Sequence, residues 1–367
     1  MEYSAPVWLP GGQLQTIWPA IASRRVFGPT PQYRRERWGT PDGDFVDVDW
    51  LVDVAPTLPA PRGSLPPEGA VPCLGRPGAA ALSPTSNVSR ARPLLVQFHG
   101  LEGSSRSHYS EAFADFARER GWDFVVPHFR GCSGELNLAP RAYHSGDFEE
   151  IGWMLQKFRT WRDQHGGGPI LAVGVSLGGN ALLRWASEMG ASASKVVSAV
   201  AAVSSPIDLA AGGWAIGRGL NRLIYTPMFL RTMKPKALEK LAQHPRLFDR
   251  DALLAARDLY AFDNVFTAPL HGFKNTEDYW SRASAKPHLH QIAIPALVVN
   301  ARNDPFVPAD SLPAQHEVGS CVTLWQPAHG GHVGFPRGRP PADVRAMPDA
   351  VGAWLARSTT ETTQHHG

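Results

Sequence analysis

The residues best suited to chemistry sit on three short stretches, far apart along the 367-residue chain. The first is Gly174-Val175-Ser176-Leu177-Gly178, which follows the apolar run Ile170–Val175 and precedes a stretch of good helix formers at 181–189. A Gly-x-Ser-x-Gly in that setting reads as a nucleophile elbow. The strand-to-helix turn is so tight that the flanking positions carry no side chain, and the serine takes a strained backbone. Its hydroxyl then stands at a helix N-terminus, where developing negative charge is favoured. Such a serine needs a base, a group that orients the base, and donors for a tetrahedral oxyanion. The expected order along the chain is serine, acid, histidine. Asn303-Asp304-Pro305-Phe306 and Ala328-His329-Gly330-Gly331-His332-Val333-Gly334-Phe335 supply acid and histidine in that order.

Two histidines compete for the base. His332 lies in a Gly-rich turn that can swing an imidazole onto Ser176 and is preferred over His329, which sits closer to the preceding strand. For the acid, Asp304 is preferred over Asp208, which follows an earlier strand, and over Asp310, which lies further along. The oxyanion donors are expected to be the backbone N–H of Leu177 and that of Leu101, in the loop after the strand at 94–98. His329, His332 and Asp304 could in principle hold an ion. The two histidines share a loop rather than a helix face, however, and a serine nucleophile needs no metal. No metal and no cofactor is expected. His99, His108, His128 and His144 are expected to hydrogen-bond backbone near the pocket, and Cys132 to be a wall residue.

These loops need a scaffold. Short apolar runs at 94–98, 124–127, 170–175, 196–203, 297–300 and 322–325 read as buried strands. Helical patterns run from Ser107 to Gly121, with Ser107 as cap, and from Asp147 to about Trp161, where Asp147 and Glu150 suggest a capping box. A last helix covers Met347 to Ala356. Strand and helix alternate, which predicts an α/β fold: a mostly parallel sheet covered by helices on both faces. The three loops follow strands at their carboxyl ends and so open on one rim. Residues 33–54 read as a hairpin whose second arm, Phe45–Leu51, alternates as an edge with one solvated face; residues 5–21 read as an aromatic, turn-rich arm. Residues 55–92 form a Pro/Ala/Gly-rich stretch without periodicity, expected to be a flexible surface loop. Residues 209–290 interrupt the alternation and are expected to form a helical cap, with helices at 214–232, 235–241 and 250–261, inserted into a single domain spanning 1–367. Within it Trp214, Ile224, Tyr225, Met228, Phe229 and Leu230 fit either an acyl-chain pocket or a core of the cap itself.

Composition narrows the field. A hydrophobic content of 43% and a charged content of 19% suit a globular protein with a large core. The net charge of +3 is small and scattered, with no basic run among aromatics, so nucleic acid is not an expected partner. Three widely spaced cysteines form no metal or disulfide pattern. No apolar stretch approaches a membrane span and no leader pattern opens the chain, so a cytoplasmic location is expected.

The motifs 98–109 (Phe-His-Gly-Leu-Glu-Gly-Ser-Ser-Arg-Ser-His-Tyr), 129–135 (Phe-Arg-Gly-Cys-Ser-Gly-Glu), 174–180, 303–306 and 330–335 together resemble the YheT-like branch of the α/β-hydrolases. So do Trp8-Leu9-Pro10-Gly11-Gly12 and the stretch 262–273, and the likeness covers nearly the whole chain except the long 55–92 segment. The resemblance implies the triad Ser176, Asp304 and His332, and a carboxylic-ester hydrolase acting on short- to medium-chain acyl esters. An acyltransferase using the same triad, or a non-catalytic ligand-binding relative, are the alternatives.

Overall fold

The computed structural model describes residues 1–52 and 92–364; the expectation for the 55–92 segment, Cys73 included, falls almost wholly outside them. Eight strands form one sheet: β1 (Tyr33–Gly39), β2 (Phe45–Leu51), β3 (Leu94–Phe98), β4 (Asp123–Pro127), β5 (Ile170–Val175), β6 (Ala199–Val203), β7 (Ala296–Val299) and β8 (Val322–Trp325). Their spatial order is β1-β2-β4-β3-β5-β6-β7-β8. All neighbours from β4 to β8 run parallel, while β1–β2 and β2–β4 are antiparallel.

The two faces of the central strands explain why these runs are apolar throughout. Leu94, Val96, Ile170 and Ala172 pack with Met154, Phe158, Leu182 and Trp185 on one face. Leu95, Leu171, Val173 and Val175 pack with Phe113, Met347, Val351 and Leu355 on the other. The period-two alternation of a strand sends neighbours to opposite layers, and both layers here are dry. The covering helices are α2 (His108–Glu119), α3 (Phe148–Gln164), α4 (Leu177–Met189) and α11 (Ala346–Gln364), with α1 (Gly11–Ile21) at the start of the described chain.

The hairpin is present, but β2 is no solvated edge. It lies between β1 and β4 and is buried along nearly its whole length. Its alternating Asp47 and Asp49 are covered because each is met by an arginine of β1: Arg37 Nε donates to Asp47 at 2.8 Å and Arg35 Nε to Asp49 at 2.7 Å. A buried carboxylate is tolerable when paired in this way. Residues expected as a turn-rich arm form α1 instead. The two caps also differ from expectation. Ser107 and Asp147 stand at helix N-caps without bonding the helix; the Ser107 hydroxyl accepts from Ser104 N–H, and Asp147 pairs with Arg141.

Between β6 and β7 lie α5 (Leu209–Ile216), α6 (Gly219–Gln243), α7 (Arg250–Ala255), α8 (Leu259–Phe262), a π-helical turn (Asp263–Thr267), α9 (Ala268–Leu270) and α10 (Thr276–Ala283). The helix expected at 214–232 is broken at 217–218, between α5 and α6. Its larger part is continuous with the one expected at 235–241, because α6 runs through both Pro227 and Pro235.

Candidate active site

The turn after β5 holds Ser176 at φ +53° and ψ −120°, a conformation L-residues seldom adopt. The flanking glycines are required by contact. A Cβ on Gly174 would lie 2.4 Å from the Gly178 carbonyl oxygen, and one on Gly178 would lie 2.5 Å from that of His99. The elbow is therefore wedged between its own helix and the end of β3.

Asp304 and His332 arrive from the loops after β7 and β8. His332 Nδ1 is 2.9 Å from Asp304 Oδ2 and 3.2 Å from Oδ1, while Nε2 is 3.0 Å from Ser176 Oγ. Asp304 Oδ1 also accepts the N–H groups of Phe306 at 2.7 Å and Val307 at 3.2 Å, and the carboxylate is buried. That pattern leaves the imidazole no free choice of tautomer: Nδ1–H faces Asp304, and Nε2 faces the serine hydroxyl. The other candidates lie elsewhere. His329 is exposed, with Nδ1 at 3.4 Å from Asn303 Nδ2. Asp208 caps α5 by accepting Ala211 N–H at 3.0 Å. Asp310 lies exposed in a short turn.

What holds the histidine loop is α1, a contribution the sequence reading passed over. Gln15 is buried and bridges both loops: its Oε1 accepts from Gly330 N–H and from Asn303 Nδ2, each at 2.9 Å, while its Nε2 donates to Leu9 O. Thr16 Oγ1 accepts the N–H of His332 itself at 2.8 Å and donates to Gly12 O. The backbones nearly touch. A Cβ on Gly334 would lie 1.7 Å from Gln15 O, and one on Gly12 would lie 1.8 Å from Asn303 O. The available signal was a Gln-Thr pair set among aromatic and small residues, since a polar pair in apolar company must find partners.

The loop after β3 is built with equal care. Burial pushes the His99 imidazole down to about 3, so it stays neutral, with Nδ1 2.8 Å from Gly100 O and Nε2 accepting Phe129 N–H at 3.1 Å. Gly100 N–H and Glu102 N–H donate to the hydroxyls of Tyr109 and Tyr143, and Tyr143 donates back to Glu102 Oε1. Glu102, at φ +56°, also pairs with Lys236 of α6 at 2.8 Å. Between these anchored amides the N–H of Leu101 meets no acceptor among the described residues, and neither does that of Leu177. Of the other loop histidines, His128 bonds the carboxylate of Asp49 at 2.8 Å, with only a longer contact to backbone. His144 Nδ1 accepts Gly146 N–H at 3.2 Å.

Ser176, His332, Leu101 and Leu177 open into a cavity of about 150 Å³. Its walls are chiefly apolar, with Leu209, Ile216, Met233, Phe262, Phe266 and Trp280 from the helices between β6 and β7. Of the six residues offered for an acyl pocket or a core of the cap, Phe229 lines the cavity, Leu230 packs in a core among these helices, and Tyr225 is buried against Phe306. Trp214 packs on Tyr260 and Trp280 but stays partly exposed, and Ile224 and Met228 are exposed. Helix phase decides this, because α6 turns its other face inward. Cys132 is not in the wall either. It packs against the main core, and burial pushes its thiol up to about 12, which makes it unreactive. Among the described residues two acids line the cavity: Glu102, paired with Lys236, and Asp263, in the π-helical turn. Asp263 accepts from Thr267 Oγ1 at 2.6 Å and Trp280 Nε1 at 2.9 Å, and burial raises it to about 6.

Residues 93–338 match the family model described as the alpha/beta hydrolase fold. The chain belongs to the α/β-hydrolase family. Its likeness to YheT of Escherichia coli (strain K12), named as a candidate esterase, is 36% identity over 324 residues, covering 88% of this chain and 83% of that protein. This α/β-hydrolase is thus of the YheT-like branch. Phospholipase ABHD3 of Mus musculus is 28% identical over 349 residues, covering 92% of this chain and 74% of that protein. Among solved structures, the thermostable carboxylesterase EstE1, cloned from a metagenomic library, superposes with a TM-score of 0.51 at 16% identity, covering 95% of this chain and 93% of that one. At that identity the superposition speaks to the fold alone. Among the described residues, no helix of this α/β-hydrolase is long and apolar enough to cross a membrane.

Proposed function

We propose that this protein hydrolyses carboxylic esters of short to medium acyl chain length through an acyl-enzyme on Ser176. Ester hydrolysis of the esterase or lipase type is the class its relatives' names support. The observation that carries the finer reading is the continuous line from Ser176 Oγ to His332 Nε2 at 3.0 Å and from His332 Nδ1 to Asp304 Oδ2 at 2.9 Å, opening into an apolar cavity. His332 takes the serine proton as Oγ attacks the ester carbonyl, and Asp304 steadies the imidazolium that forms. The amides of Leu101 and Leu177 hold the oxyanion; one such donor is worth about 2.7–4 kcal/mol of barrier. His332 then protonates the leaving alcohol, and water activated by the same imidazole releases the acid. The helices between β6 and β7 serve as a cap whose inner face receives the acyl chain.

The test is an acyl series of p-nitrophenyl esters from acetate to decanoate, run with the wild type and Ser176→Ala. Turnover with an interior optimum, absent in the variant, is expected. The absence of a fluorophosphonate adduct on Ser176 in folded protein would overturn the covalent step.

A further inference from the structure

The outer face of the same helical stretch carries exposed apolar side chains. On α6, Leu220 (63% exposed), Leu223 (73%), Ile224 and Met228 point to solvent, with Trp214 exposed just before them. Gln13 of α1 ties that helix alongside: its Nε2 donates to Asn221 Oδ1 and its Oε1 accepts from Tyr225 OH, and exposed Leu14 is the next residue. Monomeric proteins seldom show so many large apolar groups together without a partner. Charge narrows the partner. Between Asp208 and Glu239 there is no acidic residue, whereas Arg218, Arg222, Arg231, Lys234 and Lys236 are basic. Lys236 is taken by Glu102 and Lys234 by the carbonyl of Leu254, but Arg218, Arg222 and Arg231 are exposed and make no ion pair among the described residues. Arg218 instead lies over the Trp214 ring at 5.2 Å.

We propose that this face docks on an anionic lipid surface, with the apolar side chains entering the acyl boundary and the three arginines meeting headgroup phosphates or carboxylates. A helix with an apolar outer stripe flanked by arginines is the pattern of interfacial helices. A second copy of the chain fits less well, because pairing this face with itself would bring two basic surfaces together with no carboxylate in 209–238 to offset them. The neighbours of these residues, Ile216, Phe229 and Met233, line the cavity, so an acyl ester leaving the lipid layer here enters beside Ser176. That last step rests on the ester-hydrolase reading; the docking does not.

The experiment separates the two. Co-sedimentation of the Ser176→Ala protein with phosphatidylcholine vesicles, alone or with about one-third phosphatidylglycerol, is expected to show at least tenfold tighter binding to the anionic set. The preference should fade in about 0.5 M salt, where the Debye length is only a few ångströms. Leu223→Glu/Met228→Glu should lose most binding at either salt, and Arg218→Ser/Arg222→Ser/Arg231→Ser should lose only the anionic preference. In otherwise wild-type protein, both should hydrolyse p-nitrophenyl acetate normally, and if the first variant fails that check the arginine variant decides. No binding to either vesicle, unchanged binding by the variants, or a dimer in light scattering that Leu223→Glu dissolves would each overturn the docking. Wild-type binding without any ester turnover would leave it standing and remove the hydrolase reading instead.

Discussion

The loops at the carboxyl ends of the strands and the helices between β6 and β7 form opposite walls of one cavity, yet they are held by different forces. In the loops, backbone meets backbone: Gly178 and Gly334 have no room for a methyl group, and the Asp304 carboxylate accepts from His332 and from two amides. The helical wall is held by side-chain contacts such as Phe248 on Phe266 and Trp214 on Trp280, and its longest helix tolerates two prolines. Backbone collisions permit almost no substitution, whereas apolar contacts can be exchanged at modest cost. The loop wall is therefore pinned, and the helical wall is free to vary.

Five measurements would break or sharpen that contrast. Ser176→Ala should lower kcat on p-nitrophenyl butyrate by up to roughly a millionfold, with the far-ultraviolet spectrum unchanged; residual turnover within a hundredfold of wild type would place the nucleophile elsewhere. Gly178→Ala should abolish both activity and cooperative thermal unfolding, since its Cβ would lie 2.5 Å from the His99 oxygen. If that variant melts normally, the loop wall is softer than described. Thr16→Val removes the acceptor for the His332 N–H at 2.8 Å and should lower kcat about 10- to 100-fold with little change in KM. Thr16→Ser should restore it, and equal losses in both would point to packing instead.

The fourth concerns pH. Burial holds the folded pKa of His99 at about 3, below its ordinary 6.5, so the unfolded chain binds the proton more readily. The stability this group contributes is complete above about 6.5 and is lost as pH falls toward 3. Nuclear magnetic resonance should show no His99 titration between about pH 5 and 8, and His99→Gln should melt with a shallower fall over the acid range; a midpoint near neutrality would refute the buried neutral imidazole. The smallest effect belongs to the helical wall. Pro235→Ala in α6 should leave the melting temperature unchanged or raise it by a few degrees. A loss of more than about 1 kcal/mol would mean that this wall, too, depends on a particular backbone.

The same contrast governs what the sequence revealed. Ser176, Asp304 and His332 were legible because each follows an apolar strand, and β5 and β8 begin and end at the predicted residues. The sheet brings those three together. Local chemistry did not reveal the N-terminal helix, since Gln15 and Thr16 bond residues more than 280 positions away. Nor did it separate inner from outer face on α6, where apolar residues occupy both and only the packing partners decide the phase. Asp47 and Asp49 misled for a related reason: alternation announces a wet face unless arginines on the adjacent strand neutralise it.

The position of α1 carries a practical lesson for anyone trimming this enzyme. A fragment cut to the 93–338 span that defines the family would keep the elbow, the aspartate and the histidine in its sequence. It would nevertheless discard the two side chains that brace the histidine's turn from outside, leaving Ser176, Asp304 and His332 all present with no fixture to keep the histidine in register.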